Sequence, residues 1–230
     1  MKKIKLEKFI SNNTNYSRSE IKNLMKQGKI TINEQVIKSS VLISKNDIIK
    51  VNNNVIEDLS NVYILMNKPA NYVCANRDSL HKTVFDLLDP KYQNLEDLHT
   101  VGRLDIDTEG LLIITNDGEL THNLLAPKKH VPKTYFVRVD GEIKPELVDE
   151  FKNGVDIKED KITKPSELII LKKNEANLTI SEGKFHQIKR MFQKFDLKVI
   201  YLKRIKFNNL DLPNNLKLGE YKLIAKDELF

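Results

Sequence analysis

In VGRLDIDTEGLLIITNDGEL, residues 101–120, the acids Asp105, Asp107, Glu109 and Asp117 flank the apolar run Leu111, Leu112, Ile113 and Ile114. Carboxylates at this spacing suggest two chemistries. DIDTEG begins like a calcium loop, with Asp105 and Asp107 at positions one and three and Gly110 at six. The match fails further on, because Ile113 stands at position nine and Asn116 where a bidentate Glu would close the sphere at twelve. As a glycosidase pair, Asp105 and Asp107 would sit about 7 Å apart in an extended segment. One short segment approaches a sugar from a single side, however, and that mechanism needs carboxylates on both. Taken alone, the acids read as turn residues before a strand.

Two other segments carry groups able to work beside a carboxylate. In HQIKRMFQKF, Ile188, Met191, Phe192 and Phe195 recur at i, i+3, i+4 and i+7, the stripe of a buried helix face. At about 100° per residue, Lys189 falls on the flank of that stripe, while Arg190 points away, towards solvent or phosphate. A Lys beside a partly buried Asp offsets the cost of desolvating the carboxylate; without such a partner Lys189 is a solvated helix residue. In KTYFVRV, strand alternation puts Lys133, Tyr135, Val137 and Val139 on one face. Tyr135 there either fills core or stacks on a flat ligand with its hydroxyl free for proton transfer.

The elements that must position these groups follow from periodicity and punctuation. Residues 1–58 hold 11 Lys/Arg against 6 Asp/Glu, and the other 172 residues carry almost no net charge. A basic module meeting a polyanion, joined to a near-neutral unit with the chemistry, fits that asymmetry. Leu6, Phe9 and Ile10, then Ile21, Leu24 and Met25 after the N-cap candidate Ser17, predict two short helices. Gly28 ends the second, and KITINEQVI and NDIIKV read as short strands. Arg18, Lys22, Lys26 and Lys29 lie three or four residues apart, hence on one side of that helix, and can track phosphates. Linker composition in NNNVIEDLSN separates a domain over 1–58 from one over 59–230. Beyond it come strands at VYILMNKP, GLLIITND, KTYFVRVDG, ELIILKK, ANLTISEG and VIYLKRIKF. Helices interleave at TVFDLL, ELTHNLL, PELVDEFKNG and HQIKRMFQKF. Many adjacent strands with few helices between them predict an α+β fold with a mixed, largely antiparallel sheet.

Cys74 is alone, and His81, His99, His122, His130 and His186 form no metal-ligand spacing with it or one another, so no structural metal or disulfide is expected. No apolar run has the length of a signal or a membrane span, and a cytoplasmic location is expected.

The motifs together carry a resemblance. SRSEIKNLMKQGKITINEQVI resembles the S4 RNA-binding fold, with Glu34 where that family usually places Gly in the turn. GRLDIDTEGLLIITNDG resembles the signature of pseudouridine synthases of the small-subunit ribosomal RNA type. YILMNKPANYVC, KTYFVRV and LTISEGKFHQIKRMF match the family's other motifs in order. The resemblance implies that Asp105 is catalytic, that Tyr135 contacts the base, that Lys189 faces the Asp and that Arg103 helps extrude the target nucleotide. Asp107 and Glu109 are then scaffold. It also implies an enzyme without a cofactor, converting a uridine of 16S rRNA, usually uridine 516, to pseudouridine; a monomer is expected. Free RNA and a pre-ribosomal small-subunit particle both remain as substrate. Enzymes acting on 23S rRNA share these motifs, and a non-catalytic RNA-binding or assembly protein is the alternative of a different class.

Overall fold

The computed structural model describes residues 4–44, 46–93, 95–126 and 131–230, so His130 lies outside the described residues. The chain divides into two units, Met1–Asn61 and Val62–Phe230.

In the first unit, β1 (Ile4–Lys5) leads into α1 (Leu6–Asn13) and α2 (Arg18–Lys26). Ser17 caps α2: its hydroxyl accepts from the Glu20 amide, and the Glu20 carboxylate accepts the Ser17 amide at 2.7 Å, so two otherwise orphaned donors are satisfied. Gly28 follows at φ +69°, in the left-handed region that ends helices. Strands β2 (Ile30–Ile32), β3 (Gln35–Val36), β4 (Leu42–Ile43), β5 (Ile49–Val51) and β6 (Asn54–Val55) complete the unit; β4 pairs with β1, and the others form a sheet ordered β3-β2-β5-β6. Asn33 and Glu34 both take positive φ, +49° and +68°, as a two-residue hairpin turn requires. Glu34 thus does the work of the Gly usual at this turn, with its carboxylate 2.5 Å from Lys50 Nζ. Leu6, Phe9, Ile10, Ile21 and Met25 pack on Ile30, Ile43, Ile49 and Val51 as one core.

The second unit is built on a single sheet. Its elements are β7 (Tyr63–Lys68), a 3₁₀ turn at Val84–Leu87, α3 (Pro90–Gln93), β8 (His99–Thr100), β9 (Glu109–Thr115), α4 (Gly118–Leu125), β10 (Lys133–Val139), α5 (Leu147–Asn153), β11 (Glu167–Lys172), β12 (Glu175–Ile180), α6 (Gln187–Gln193), β13 (Val199–Phe207), β14 (Leu210–Asp211), β15 (Tyr221–Leu223) and a 3₁₀ turn at Lys226–Leu229. The strand order is β11-β12-β10-β13-β9-β7-β15, with β14 on β13 and β8 on β9. Every pairing between these strands is antiparallel except β13 with β9, where Lys203 and Arg204 lie opposite Glu109 and Gly110. The α+β expectation of a mixed, largely antiparallel sheet holds. TVFDLL forms a 3₁₀ turn rather than a helix. The final helix stops at Gln193, leaving Phe195 just beyond it, half-buried and stacked on Phe151.

Strand β9 is buried along its apolar run because the sheet is covered on both faces there. Leu111 and Ile113 join Tyr63, Leu65, Leu120 and Leu124 in one core; Leu112 and Ile114 face the other way and are equally buried.

Candidate active site

The loop 103–108, between β8 and β9, brings Asp105 to the wall of a large cleft. It is a turn rather than an extended segment, closed by the Thr108 amide donating to the Asp105 carbonyl at 3.1 Å and pinned by the Asn71 amide on the Ile106 carbonyl at 2.7 Å. Its organiser is Lys68, the last residue of β7, with no exposed surface. The Lys68 ammonium lies 2.8–3.4 Å from the carbonyls of Pro69, Asp105, Ile106 and Thr108. Burial pulls the Lys68 ammonium below its ordinary value, with neighbouring Cys74, Asp107, Asp105 and Glu109 pulling the other way.

Helix α6 supplies the partner cation. Lys189 Nζ lies 3.2 Å from Asp105 Oδ2 and 2.6 and 2.9 Å from the two Asp107 oxygens. Burial alone would lower the Lys189 ammonium, yet hydrogen bonds to Asp107 and Asp105 hold it above its ordinary value. Asp107 is therefore more than a turn residue, since it shares the ammonium that faces Asp105. Glu109 accepts the Tyr201 hydroxyl at 2.7 Å; burial and that bond push Tyr201 up to about 12. On the third side, His186 enters α6 at φ +48°, its ring stacked on Phe185 at 3.8 Å and its Nε2 3.7 Å from Asp105 Oδ1. Tyr135, on β10 and 7 % exposed, lines the same cleft, whose volume is about 970 Å³. The arrangement offers a carboxylate against an ammonium, with an aromatic ring beside them and room for a nucleoside.

Comparison with known proteins places the chain in a family. The RNA pseudouridylate synthase family model matches residues 62–194 and the S4 domain model matches residues 5–49. The chain is 35% identical over 228 residues to the Ribosomal small subunit pseudouridine synthase A of Vibrio cholerae serotype O1, covering 98% of both chains. The chain belongs to the RNA pseudouridylate synthase family. It is also 38% identical over 232 residues to the uncharacterized RNA pseudouridine synthase YtzG of Bacillus subtilis strain 168, covering 98% of this chain and 97% of that one. A crystal structure of a pseudouridylate synthase, 35% identical and covered to 98% on both sides, superposes with a TM-score of 0.71. The protein is thus an isomerase acting on uridine in RNA.

The synthase's other expected RNA contacts are placed unequally. Arg103 sits at the cleft mouth, exposed and without an ion pair among the described residues. Arg190 points away from the buried stripe of α6, but its guanidinium is occupied. Nη1 lies 2.5 Å from Glu159 Oε1 and 3.2 Å from the Phe185 carbonyl, and Nη2 meets the Ile157 carbonyl. The expectation of a free Arg190 gives way to a brace between the 157–159 loop and α6. Lys133 lines the cleft on the same face as Tyr135. In the S4 unit, Arg18, Lys22, Lys26 and Lys29 are all exposed, and none is in an ion pair among the described residues.

Three residues of the site escaped the sequence reading: His186 and Arg204, which line the cleft, and Lys68, buried beneath the Asp105 loop. Lys68 ends an apolar strand just before Pro69, where a charged residue looks like a terminator. His186 sits in EGKFHQIKRMF next to residues that drew attention. Arg204 is one of only six arginines in a lysine-rich chain, a scarcity that marks it for inspection.

Proposed function

We propose that this synthase converts a uridine of 16S rRNA, uridine 516, into pseudouridine. The observation that carries the reading is Asp105 held 3.2 Å from Lys189 in a cleft also lined by Tyr135. In the reaction the bond from ribose C1′ to uracil N1 breaks, the ring turns, and C1′ bonds to C5. C5 gives up its proton and N1 gains one, so nothing is oxidised and no group is lost. Asp105 acts at the sugar and the detached ring, either by attack on C1′ or by taking a ribose proton. Lys189 keeps a counter-charge beside it, and Tyr135 stacks on the base to retain it. Extruding a stacked nucleotide costs roughly a few kcal/mol, and Arg103, which lines the cleft and has no ion pair among the described residues, fills the gap left behind.

Residues 1–58 form the RNA-binding domain of this reading and residues 59–230 the catalytic one. Arg18, Lys22, Lys26 and Lys29 follow the phosphates of ribosomal RNA, free or within an assembling small-subunit particle. The relatives named for the ribosomal small subunit support 16S rRNA over 23S rRNA. The enzyme works in the cytoplasm, as a monomer and without a cofactor.

Incubating the protein separately with 16S and 23S rRNA, with and without ribosomal proteins, and mapping new pseudouridines tests the reading. One new pseudouridine in 16S rRNA, at least about a thousandfold slower with Asp105→Asn, is expected. Modification of 23S rRNA alone would reassign the target. Undiminished product from Asp105→Asn would remove Asp105 from the chemistry.

A further inference from the structure

Beside the Asp105 pair, the cleft has a second charged feature that the isomerisation does not use. Strands β10 and β13 run antiparallel with Tyr135 opposite Arg204 and Lys133 opposite Phe207. The Lys133 ammonium lies 5.7 Å and the Arg204 guanidinium 5.3 Å from the centre of the Phe207 ring, so one ring supports both cations. Arg204 is 1 % exposed. Its Nε donates to the Leu111 carbonyl at 2.7 Å, but its Nη2 is buried with no acceptor. Lys133 Nζ donates to the Val131 carbonyl at 2.9 Å. Among the described residues neither cation is in an ion pair. The acid facing Lys133 is Glu182, whose Oε1 already accepts from the Lys164 amide and Gln187 Nε2, both at 2.9 Å. Both cations line the large cleft with Asp105 and Tyr135.

Such a pair is costly to keep. A buried donor without an acceptor is destabilising, and more so when it is charged. Burial, then the charge of Arg204, push the Lys133 ammonium down to about 8, with Glu182 opposing only in part. What is missing is a full negative charge presented from the cleft. A base carbonyl would satisfy one N–H and leave both charges unpaired. A phosphodiester brings a whole charge and two non-bridging oxygens, one for the guanidinium and one for the ammonium.

We propose that Lys133 and Arg204 form a buried anion subsite that takes one phosphodiester of the RNA strand beside the target nucleotide. The proposal rests on the reading that the cleft receives an RNA uridine. The subsite fixes the register of the strand while the nucleotide is turned in, next to Tyr135 and apart from the Asp105–Lys189 pair.

The test uses the full-length protein and a synthetic fragment of the rRNA it modifies, with each phosphodiester around the target replaced in turn by an uncharged methylphosphonate. With the wild-type protein, one linkage is expected to weaken binding about tenfold when neutralised. Lys133→Met and, separately, Arg204→Lys should bind the unmodified RNA about tenfold more weakly and should no longer sense that linkage. Where the sheet does not tolerate Arg204→Lys, the half-buried Lys133→Met carries the comparison. Equal methylphosphonate penalties in wild type and variants, with pseudouridine still formed by the wild type, overturn the subsite alone. A wild-type protein that forms no pseudouridine overturns the reading beneath it. Inorganic phosphate separates the two sources of this chemistry. If it raises the Tm of the wild type but not of Lys133→Met, while no RNA linkage is sensitive, the site takes a free anion and the RNA assignment falls.

Discussion

At the scale of single residues, Lys189 is shared by two carboxylates, and the two are not equivalent. Asp105 lines the cleft, whereas Asp107 is the more exposed and takes the shorter bonds. Removing the cation leaves two like charges facing each other without a counter-ion, whereas removing the Asp107 charge leaves Lys189 free to close on Asp105. Lys189→Met should therefore lower kcat about 10²–10³-fold with little change in KM, and Asp107→Asn less than about tenfold. Single-turnover assays on one RNA substrate check both. Helical spacing made the flank position of Lys189 legible. It could not reach Lys68 or Arg204, because patterns of apolar residues report burial only when the buried group is apolar. A cation buried on carbonyls leaves the same mark in a sequence as a cation in water.

Among the elements, α2 was the most legible, since Ser17 announces its start; in α4 the apolar pattern was readable, but its cap, Asp117, read only as an acid at the end of a strand. Asp117 caps α4 by accepting the Leu120 amide at 2.9 Å, and it also receives the Tyr63 hydroxyl and the Lys226 ammonium, each at 2.8 Å. Burial alone would raise the Asp117 carboxyl, but these donors hold it at about 2 against an ordinary 3.8. Its contribution is complete above about pH 4 and is lost as the pH falls towards 2. Asp117→Ala should cost about 1–2 kcal/mol at pH 7 in denaturant titrations, a gap that narrows steadily below pH 4. The prediction for α2 is electrostatic. Changing Arg18, Lys22, Lys26 and Lys29 together to Gln should weaken RNA binding and flatten its dependence on salt. Each phosphate that is no longer neutralised takes about 0.7–0.9 from the slope of log K against log salt concentration. An unchanged slope would place the RNA-gripping surface elsewhere.

For the catalytic unit as a whole, the decisive feature is the short parallel pairing of β9 with β13. It joins β11-β12-β10-β13, which present Tyr135, Lys133 and Arg204, to β9-β7-β15, which lead into the Asp105 loop and Lys68. Gly110 makes the junction possible. At φ +104° it has room for no side chain, since a Cβ there would lie 2.2 Å from the Arg204 carbonyl oxygen and 2.8 Å from its amide nitrogen. Gly110→Ala should cost about 4 kcal/mol or more and lower the Tm by about 10 °C or more, measured by calorimetry. The strands themselves could be read from their apolar runs and turn residues, and so could the α+β class. The junction could not, because it joins residues some ninety positions apart through backbone atoms, and no local pattern encodes which strands become neighbours.

DIDTEG opens with the spacing of a calcium loop, and its backbone does gather around a positive charge, the one at the tip of Lys68. Because that cation is tethered by its own covalent stem, it has no dissociation constant and no competitor. Neither a chelator nor a change in divalent ion concentration can withdraw it from the turn that carries Asp105. The shape of that turn is set once, when β7 takes its place in the sheet.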